Sequence, residues 1–340
     1  MNLAVTIIIG VIMFCLLILL HEFGHFATAK LCGVKVNEFS LGMGPLLFHK
    51  QKGETQYSFR LLPIGGFCAM EGEDEDSDDD RAFNKKSPGK KAIIVCAGAV
   101  MNLLTAILLM IIVCFVIGTA STTVGQFVSG SNFEAAGLQV GDKIVQINEA
   151  KVNEWSDVSK ALNKVDKKSV VAVTAERNGS DVIIKAKLME KDGSYLIGIQ
   201  PKMVRNPIKC VANGFVATWN MTKSMYKVIG QLFTGQVSTK DLSGPVGIFY
   251  MVGESANQGF IYVIYLTALI SLNLAIVNML PFPALDGGRL LLIIIRRCTG
   301  KLISDSTENK INFVGIMLLF GLMIYVTFND ILRFVVPVFK

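Results

Sequence analysis

Two histidines four residues apart, His21 and His25, with Glu22 between them, close an apolar run: Leu16–His25 reads Leu-Leu-Ile-Leu-Leu-His-Glu-Phe-Gly-His. On a helix, positions four apart project from one face about one turn from each other. Neutral imidazoles so placed can share one zinc ion. Glu22 is then a carboxylate able to take a proton from a water beside that ion. The location strengthens the reading, because Leu3–Leu20 carries no charge. Ionisable groups at such depth are costly and usually functional. The competing reading is a helix end whose His and Glu lie among lipid headgroups.

A second constellation lies near the other end of the chain. Asn278-Met-Leu-Pro281-Phe-Pro283-Ala-Leu-Asp286-Gly287-Gly288-Arg289 follows an apolar segment. The prolines and glycines break a helix inside or near the membrane. Freed backbone there is tolerated only where protein or a polar cavity satisfies it. Asp286 is a lone carboxylate in this break. Two His and one carboxylate make a catalytic zinc (Zn2+) set with a fourth position left for water. The competing reading is a cytoplasmic turn with Asp286 as a helix cap.

The elements that must bring these groups together are membrane spans. The 340 residues are 51% hydrophobic and 18% charged, with a mean hydropathy of +0.49. That fits a membrane protein with a polar insertion. The net charge of +6, without zinc-finger spacing or a basic helix with interleaved aromatics, gives no case for nucleic acid. Cysteines 15, 32, 68, 96, 114, 210 and 298 form no C-x-x-C pair, so neither a disulfide framework nor a structural zinc site follows from them. Met1–Leu20 lacks a basic leading segment and a small-residue cleavage site, and reads as a retained helix.

Four segments, about Leu3–Leu20, Ala92–Ile117, Ile261–Leu280 and Ile311–Val326, are near the length needed to cross a bilayer. Leu290–Ile295 is too short to cross alone and reads as the third span resumed after its break. The Lys30–Lys91 loop holds ten Lys and Arg, and Arg296–Lys310 holds four. The positive-inside rule puts both loops in the cytoplasm, and both termini and Ala120–Phe260 outside. His21, His25 and Asp286 then share the cytoplasmic leaflet.

Phe39–Arg60 reads as strand, glycine turn at Gly42 and Gly44, and strand; Leu61–Met70 follows with Gly65 and Gly66. A glycine-rich, half-apolar hairpin suits a membrane-associated element whose strand edge could pair with an extended substrate. Glu71–Asp80, with eight acids in ten residues, reads as a solvated, flexible run. In the second span, Gly98 precedes Asn102 by one turn. A lone amide in an apolar helix wants a partner, and small residues permit close approach.

Between spans two and three the composition turns polar. Val124–Val128 and Lys143–Asn148 read as strands. Asn178-Gly179 reads as a hairpin turn, and Ser156–Val165 as a helix capped by Ser156 or Asp157. The run Ala135-Ala-Gly-Leu-Gln-Val-Gly-Asp142 resembles a bacterial-type PDZ domain, which implies capture of chain ends or extended segments by strand addition. Asn206–Phe260 is amphipathic; Phe215, Trp219, Tyr226 and Phe233 with interleaved Lys suggest an interfacial helix or one packed between domains. Leu242–Ile248 reads as a turn.

Together these residues resemble the site-2 protease family of intramembrane zinc metalloproteases. His21-Glu22-Phe23-Gly24-His25 matches its first motif, Asn278 to Gly287 its N-x-x-P-x-P-x-L-D-G motif, and Gly98 with Asn102 a weaker G-x-x-x-N pattern. The resemblance implies a four-span helical bundle with a membrane-associated β-hairpin region and one extracytoplasmic α+β PDZ domain. The segments are 1–120, 121–205, 206–260 and 261–340. It implies a multi-pass protein of the inner or plasma membrane. His21, His25 and Asp286 are expected to hold zinc, with Glu22 as base. Asn278, Asn102, Gly42, Gly44, Gly65 and Gly66 are expected to line the substrate. The implied partners are single-span membrane proteins such as anti-sigma factors, or remnant signal peptides, with peptide ends at the PDZ groove. A membrane-anchored PDZ adaptor with a non-catalytic zinc site, or a metal transporter, are the rivals; neither explains Glu22.

Overall fold

The computed structural model describes residues 2–336 except 74, 76, 167–168, 192–193, 237–241 and 300–304. In chain order the elements are α1 (Leu3–Leu31), β1 (Val36–Lys52), β2 (Thr55–Met70), α2 (Pro88–Ile117), β3 (Thr119–Phe127), α3 (Asn132–Ala135), β4 (Lys143–Ile147), β5 (Ala150–Lys151) and α4 (Trp155–Leu162). They continue as β6 (Val170–Arg177), β7 (Ser180–Lys187), β8 (Met189–Lys191), β9 (Ser194–Leu196), β10 (Ile199–Val204) and α5 (Pro207–Phe233). The last are α6 (Pro245–Gln258), α7 (Phe260–Asn278), α8 (Asp286–Thr299) and α9 (Asp305–Asp330), with a π-helical turn after it. The chain divides into one unit of Met1–Met110 with Gly214–Lys340 and another of Ile111–Asn213.

Among the described residues, four helices are long and apolar enough to cross a membrane: Leu3–Leu31, Pro88–Ile117, Phe260–Asn278 and Lys310–Val335. They overlap the four expected spans; the first, second and fourth run further, while the third ends two residues before Leu280. No breaker follows Leu20, so α1 carries the His motif inside an unbroken helix and stops only at Gly33, whose φ is +74°. Met13 and Leu17 of α1, Val252 of α6, and Leu266 and Ile270 of α7 form one apolar core.

Three expectations are corrected here. Leu290–Ile295 does not resume the third span; it lies inside α8, a separate helix. Pro281 and Pro283 end α7, and Ala284 takes a φ of +71° that redirects the chain. Leu242–Ile248 is not only a turn, because α6 begins at Pro245. Its N-cap, Gly244, has no side chain to offer. Asp330 of α9, buried at 1% exposure, supplies it by accepting the Gly244 and Gly247 N–H groups at 2.9 and 2.7 Å. The hairpin does not reverse at Gly42 and Gly44. Both have positive φ and bend β1 through a register shift, while the reversal falls at Gly53, φ +62°, between Lys52 and Thr55.

The two bent strands fold over each other. Ser40 lies opposite both Ser58 and Phe67, and Leu41 opposite both Phe59 and Gly66. Residues 38–41 are thus the inner strand, and 66–70 flank them on one side. Met43, Leu46, Leu47, Phe48, Leu61 and Leu62 remain exposed at the far end. The acidic run is also less free than expected. Among its described residues, Glu71 accepts hydrogen bonds from Ser77, Asn37 and Lys35, which hold its carboxyl well below the usual range. Helix α5 reconciles both readings of its segment. Met221, Met225 and Ile229 pack on Ala106, Leu272 and Ile276, while Phe215, Trp219 and Tyr226 stay exposed. The side chain of Phe233 lies outside the described residues.

The second unit is a sheet ordered β10-β3-β4-β6-β7, with β5 on β4. Its core gathers Val124, Phe133, Leu138, Ile144, Val171 and Val173, all 2% exposed or less. Asn178 and Gly179 make the expected two-residue turn, with φ of +51° and +82°. Helix α4 starts earlier than expected: Glu154 is its cap, and Asp157 sits three residues in and closes a capping box.

Asp142, its side chain 2% exposed, fixes the loop before β4 to β6. Its carboxylate takes Arg177 Nε at 2.7 Å, Arg177 Nη2 at 2.6 Å and the Gln139 N–H at 2.8 Å. The Arg177 guanidinium holds the Asp142 carboxyl below the usual carboxylate range. Its contribution is therefore complete above the ordinary carboxylate pKa of about 4, and disappears as pH falls through the lowered value of the folded state. Asp142→Asn should destabilise this unit by about 2 kcal/mol, less than a fully buried pair, because Arg177 is 25% exposed. Hydrogen exchange of β4 and β6 in the full chain reads this: exchange should accelerate at pH 7 and converge with wild type at low pH.

Candidate metal centre

Helix α1 presents His21 and His25 one turn apart, with ring centroids 4.8 Å apart and rings at 85°. Their Nε2 atoms stand 3.3 Å from each other. Asp286, first residue of α8, brings Oδ2 to 3.3 Å from His21 Nε2 and 3.4 Å from His25 Nε2. Three donor atoms thus form a near-equilateral triangle. Zinc bonds of ~2.0–2.1 Å at the tetrahedral angle place neighbouring donors ~3.3–3.4 Å apart. Asp286 Oδ2 is buried without a hydrogen-bond donor. A cation is what such an oxygen requires, so the donor set fits zinc with one face left over.

The motif around Asp286 is dictated by space. Pro281 and Pro283 have no N–H to leave orphaned where the helix stops. The chain turns within Met279–Leu285, with Phe282 N–H on the Leu280 carbonyl at 2.7 Å and Ala284 N–H on the Asn312 side chain at 3.2 Å. A Cβ on Gly287 would strike the Met279 and Leu280 carbonyls, and one on Gly288 the Phe282 carbonyl. Only glycine lets α8 start this close to the turn that precedes it.

Helix α2 supports the imidazoles. His25 Nδ1 lies 2.9 Å from the Ile94 carbonyl, so Nδ1–H donates there and Nε2 keeps its lone pair for a metal. His21 Nδ1 lies 3.2 Å from the Asn102 amide, whose Oδ1 is buried without a partner. A half-turn of that amide puts Oδ1 on His21 Nδ1–H and satisfies both groups. Asn102 is fully buried, and its own carbonyl accepts from Ser271 Oγ of α7 at 2.8 Å. It therefore touches His21 and not the open cleft. Gly24 and Gly98 let α1 and α2 approach: a Cβ on Gly24 would meet the Ala97 carbonyl, and one on Gly98 both imidazoles.

A cavity of about 490 Å³ opens on the triangle and is lined by Glu22, by Phe67–Met70 of β2, and by Glu73 and Arg289. Asn278 closes α7 with its amide 3.3 Å from His21 Nε2. Gly66 is buried, and a Cβ there would sit 3.4 Å from Glu22 Cγ. Gly42, Gly44 and Gly65 are not brought to the cavity. All three have positive φ; Gly42 packs on the Arg60 and Leu62 carbonyls, Gly44 on the Leu62 side chain and Gly65 on Met43, where they bend the hairpin. Sequence reasoning missed the Ile94 carbonyl, which carries no side-chain signal. It also missed Gly24, which fills an unspecified place in the His-Glu-x-x-His pattern, and Glu73, hidden among neighbouring acids.

A sequence profile described as peptidase family M50 matches residues 9–322. A relative from Clostridium acetobutylicum, named as a candidate zinc metalloprotease, is 42% identical over 332 residues, covering 96% of this chain and 97% of the relative. A like-named protein of Clostridium perfringens is 37% identical, over 96% of this chain and 98% of its own length. One from Fusobacterium nucleatum is 34% identical over the same shares.

Proposed function

The chain belongs to peptidase family M50, the site-2 proteases, and is a zinc metalloprotease with apolar, membrane-length helices; we propose that it cuts peptide bonds within or near the transmembrane segments of other proteins. The observation that carries this is the donor triangle of His21, His25 and Asp286, its two histidines on a helix of that length and its open side on a strand edge. The three side chains are the metal ligands. Bound there, zinc supplies Lewis acidity, which acidifies water and polarises a carbonyl. A carboxylate oxygen of Glu22 takes the proton from the attacking water and passes it to the leaving amine. The Asn278 amide holds the substrate backbone beside the centre. Ile94 and Asn102 hold the two rings in the tautomer that ligation needs.

A helical substrate hides its peptide bonds, so it must unwind before it can be cut. The edge of β2 at residues 66–70 offers backbone groups to a strand, and its apolar, bent far end suits a hairpin held in lipid. Helix-weakening residues near the cut lower the cost of unwinding. The basic loops favour a cytoplasmic active-site leaflet in the inner or plasma membrane, with termini and the Ile111–Asn213 unit outside. That unit serves as a single PDZ-like module that excludes bulky ectodomains or docks a trimmed chain end. The enzyme then acts as a later step of a proteolytic cascade on single-span proteins, such as anti-sigma factors, or on remnant signal peptides.

Purified protein with a panel of membrane-spanning peptides tests this. Cleavage inside the apolar segment, lost with a chelator and regained with zinc, is expected. Hydrolysis confined to soluble peptides would contradict the intramembrane assignment while leaving the metalloprotease standing.

A further inference from the structure

Glu73 and Arg289 take no part in the chemistry assigned above, yet both border it. Glu73 stands three residues past the end of β2. Arg289 lies three residues beyond Asp286 on α8 and so shares its helix face. The Arg289 guanidinium donates to Glu73 Oε1. Glu73 Oε2 accepts the Met70 N–H at 3.3 Å. One carboxylate therefore ties the last residue of the strand edge to the helix whose first residue is Asp286. The two side chains are mostly enclosed, 13% exposed for Glu73 and 29% for Arg289. They also form a wall. On one side is the 490 Å³ cavity with His21, Glu22 and His25; on the other is a cavity of about 80 Å³ lined by Lys91, Arg296 and Glu308.

We propose that Glu73 and Arg289 are positioning residues, a latch that holds the edge of β2 at the distance from Asp286 that an extended substrate requires. The proposal rests on the strand-addition reading given above. The edge and the ligand belong to different elements: residues 66–70 pair with β1, and Cys68 and Met70 pack in an apolar cluster with Ala29, Ile94 and Val95, against which Leu290 and Ile293 of α8 also lie. The hairpin bends at Gly42, Gly44 and Gly65, all at positive φ. Apolar packing is non-directional, so a directed polar attachment is needed as well if a bound peptide bond is to meet the metal without drift. A displacement of ~1 Å at a reacting centre costs ~10²-fold in rate. The Met70–Glu73–Arg289 chain is that attachment, and both oxygens of Glu73 are engaged in it.

Cys68 reports the state of the latch without catalysis. It lies on the edge strand, 8% exposed, and lines the larger cavity. Its alkylation by N-ethylmaleimide in the full chain, read at that residue by mass spectrometry, measures how far the edge has opened. Arg289→Met should speed Cys68 alkylation several-fold and raise KM for a membrane-span reporter by ~10-fold or more, with zinc content unchanged. Arg289→Lys keeps the charge without the fork and should fall between the two. Glu73→Gln keeps an acceptor for Met70 and loses the ion pair, and decides the matter if Arg289→Met does not fold; it too should speed alkylation. An alkylation rate equal to wild type in every folded variant overturns the latch. If the chain cuts no membrane span at all, the strand-addition reading fails, while the alkylation rates still decide whether the latch exists.

Discussion

Glu22→Gln should lower the rate of peptide hydrolysis by ~10³-fold or more and leave the protein with its full complement of zinc. Two features of the site lead to this split. The donor atoms that cluster within 4.8 Å are those of His21, His25 and Asp286, and Glu22 is not among them. Its replacement therefore removes no ligand. Glu22 nevertheless faces the same cavity, on the same helical turn as the rings, with Gly66 of the strand edge against its Cγ. Glutamine has the same shape and the same reach, but its amide accepts no proton at neutral pH. Packing against Gly66 survives while proton transfer does not. Asp286→Ala is the counterpart: it opens one corner of the triangle and should drop zinc content as well as activity. Metal analysis beside a cleavage assay on both variants separates base from ligand. Undiminished turnover in Glu22→Gln would remove the proposed base, and full zinc retention in Asp286→Ala would contradict ligation.

The chemistry of this chain is more legible in the sequence than its supports. His21 and His25 declare themselves by helical spacing inside an uncharged run, and Asp286 by being the one carboxylate where prolines and glycines break a span. Both signals are local. What holds these groups is not. The cap of α6 comes from Asp330, 83 residues from the Gly247 N–H it accepts, so no capping side chain near Pro245 announces the helix, only the proline at its first position. The Ile94 carbonyl is a backbone atom, available at any residue. Glycines misled in one place and informed in another. Gly42 and Gly44 suggested a turn and instead bend a continuing strand, because positive φ serves either purpose. Gly287 and Gly288 marked a break, and the reason, carbonyls packed where a Cβ would lie, appears only in three dimensions. Asn102 was readable as an amide in need of a partner, but the partner, His21, is 81 residues away.

Gly98→Ala tests whether α2 sets the geometry of the centre, and the expected outcome runs against helix propensity. In a helix interior alanine is favoured over glycine by ~1 kcal/mol. On that ground alone the variant should be the more stable. The added Cβ, however, would fall on His25 Nε2 and on the Cε1 edge of His21, closer than a carbon atom tolerates. Something has to give, and each way out damages the site. If the rings rotate, Nε2 of His25 leaves its 3.4 Å approach to Asp286. If α2 retreats, the Ile94 carbonyl leaves His25 and the Asn102 amide leaves His21, since both supports ride on that helix one turn either side of Gly98. The loss of such outer partners typically costs 10–100-fold in metal affinity, so zinc affinity should fall by at least ~10-fold. Thermal unfolding of the metal-free protein should stay unchanged or rise. Zinc titration and apo unfolding measured together decide the point: unaltered affinity would mean that α1 and α8 hold the donors by themselves, and a lowered apo midpoint would mean that packing, not ligation, had been lost.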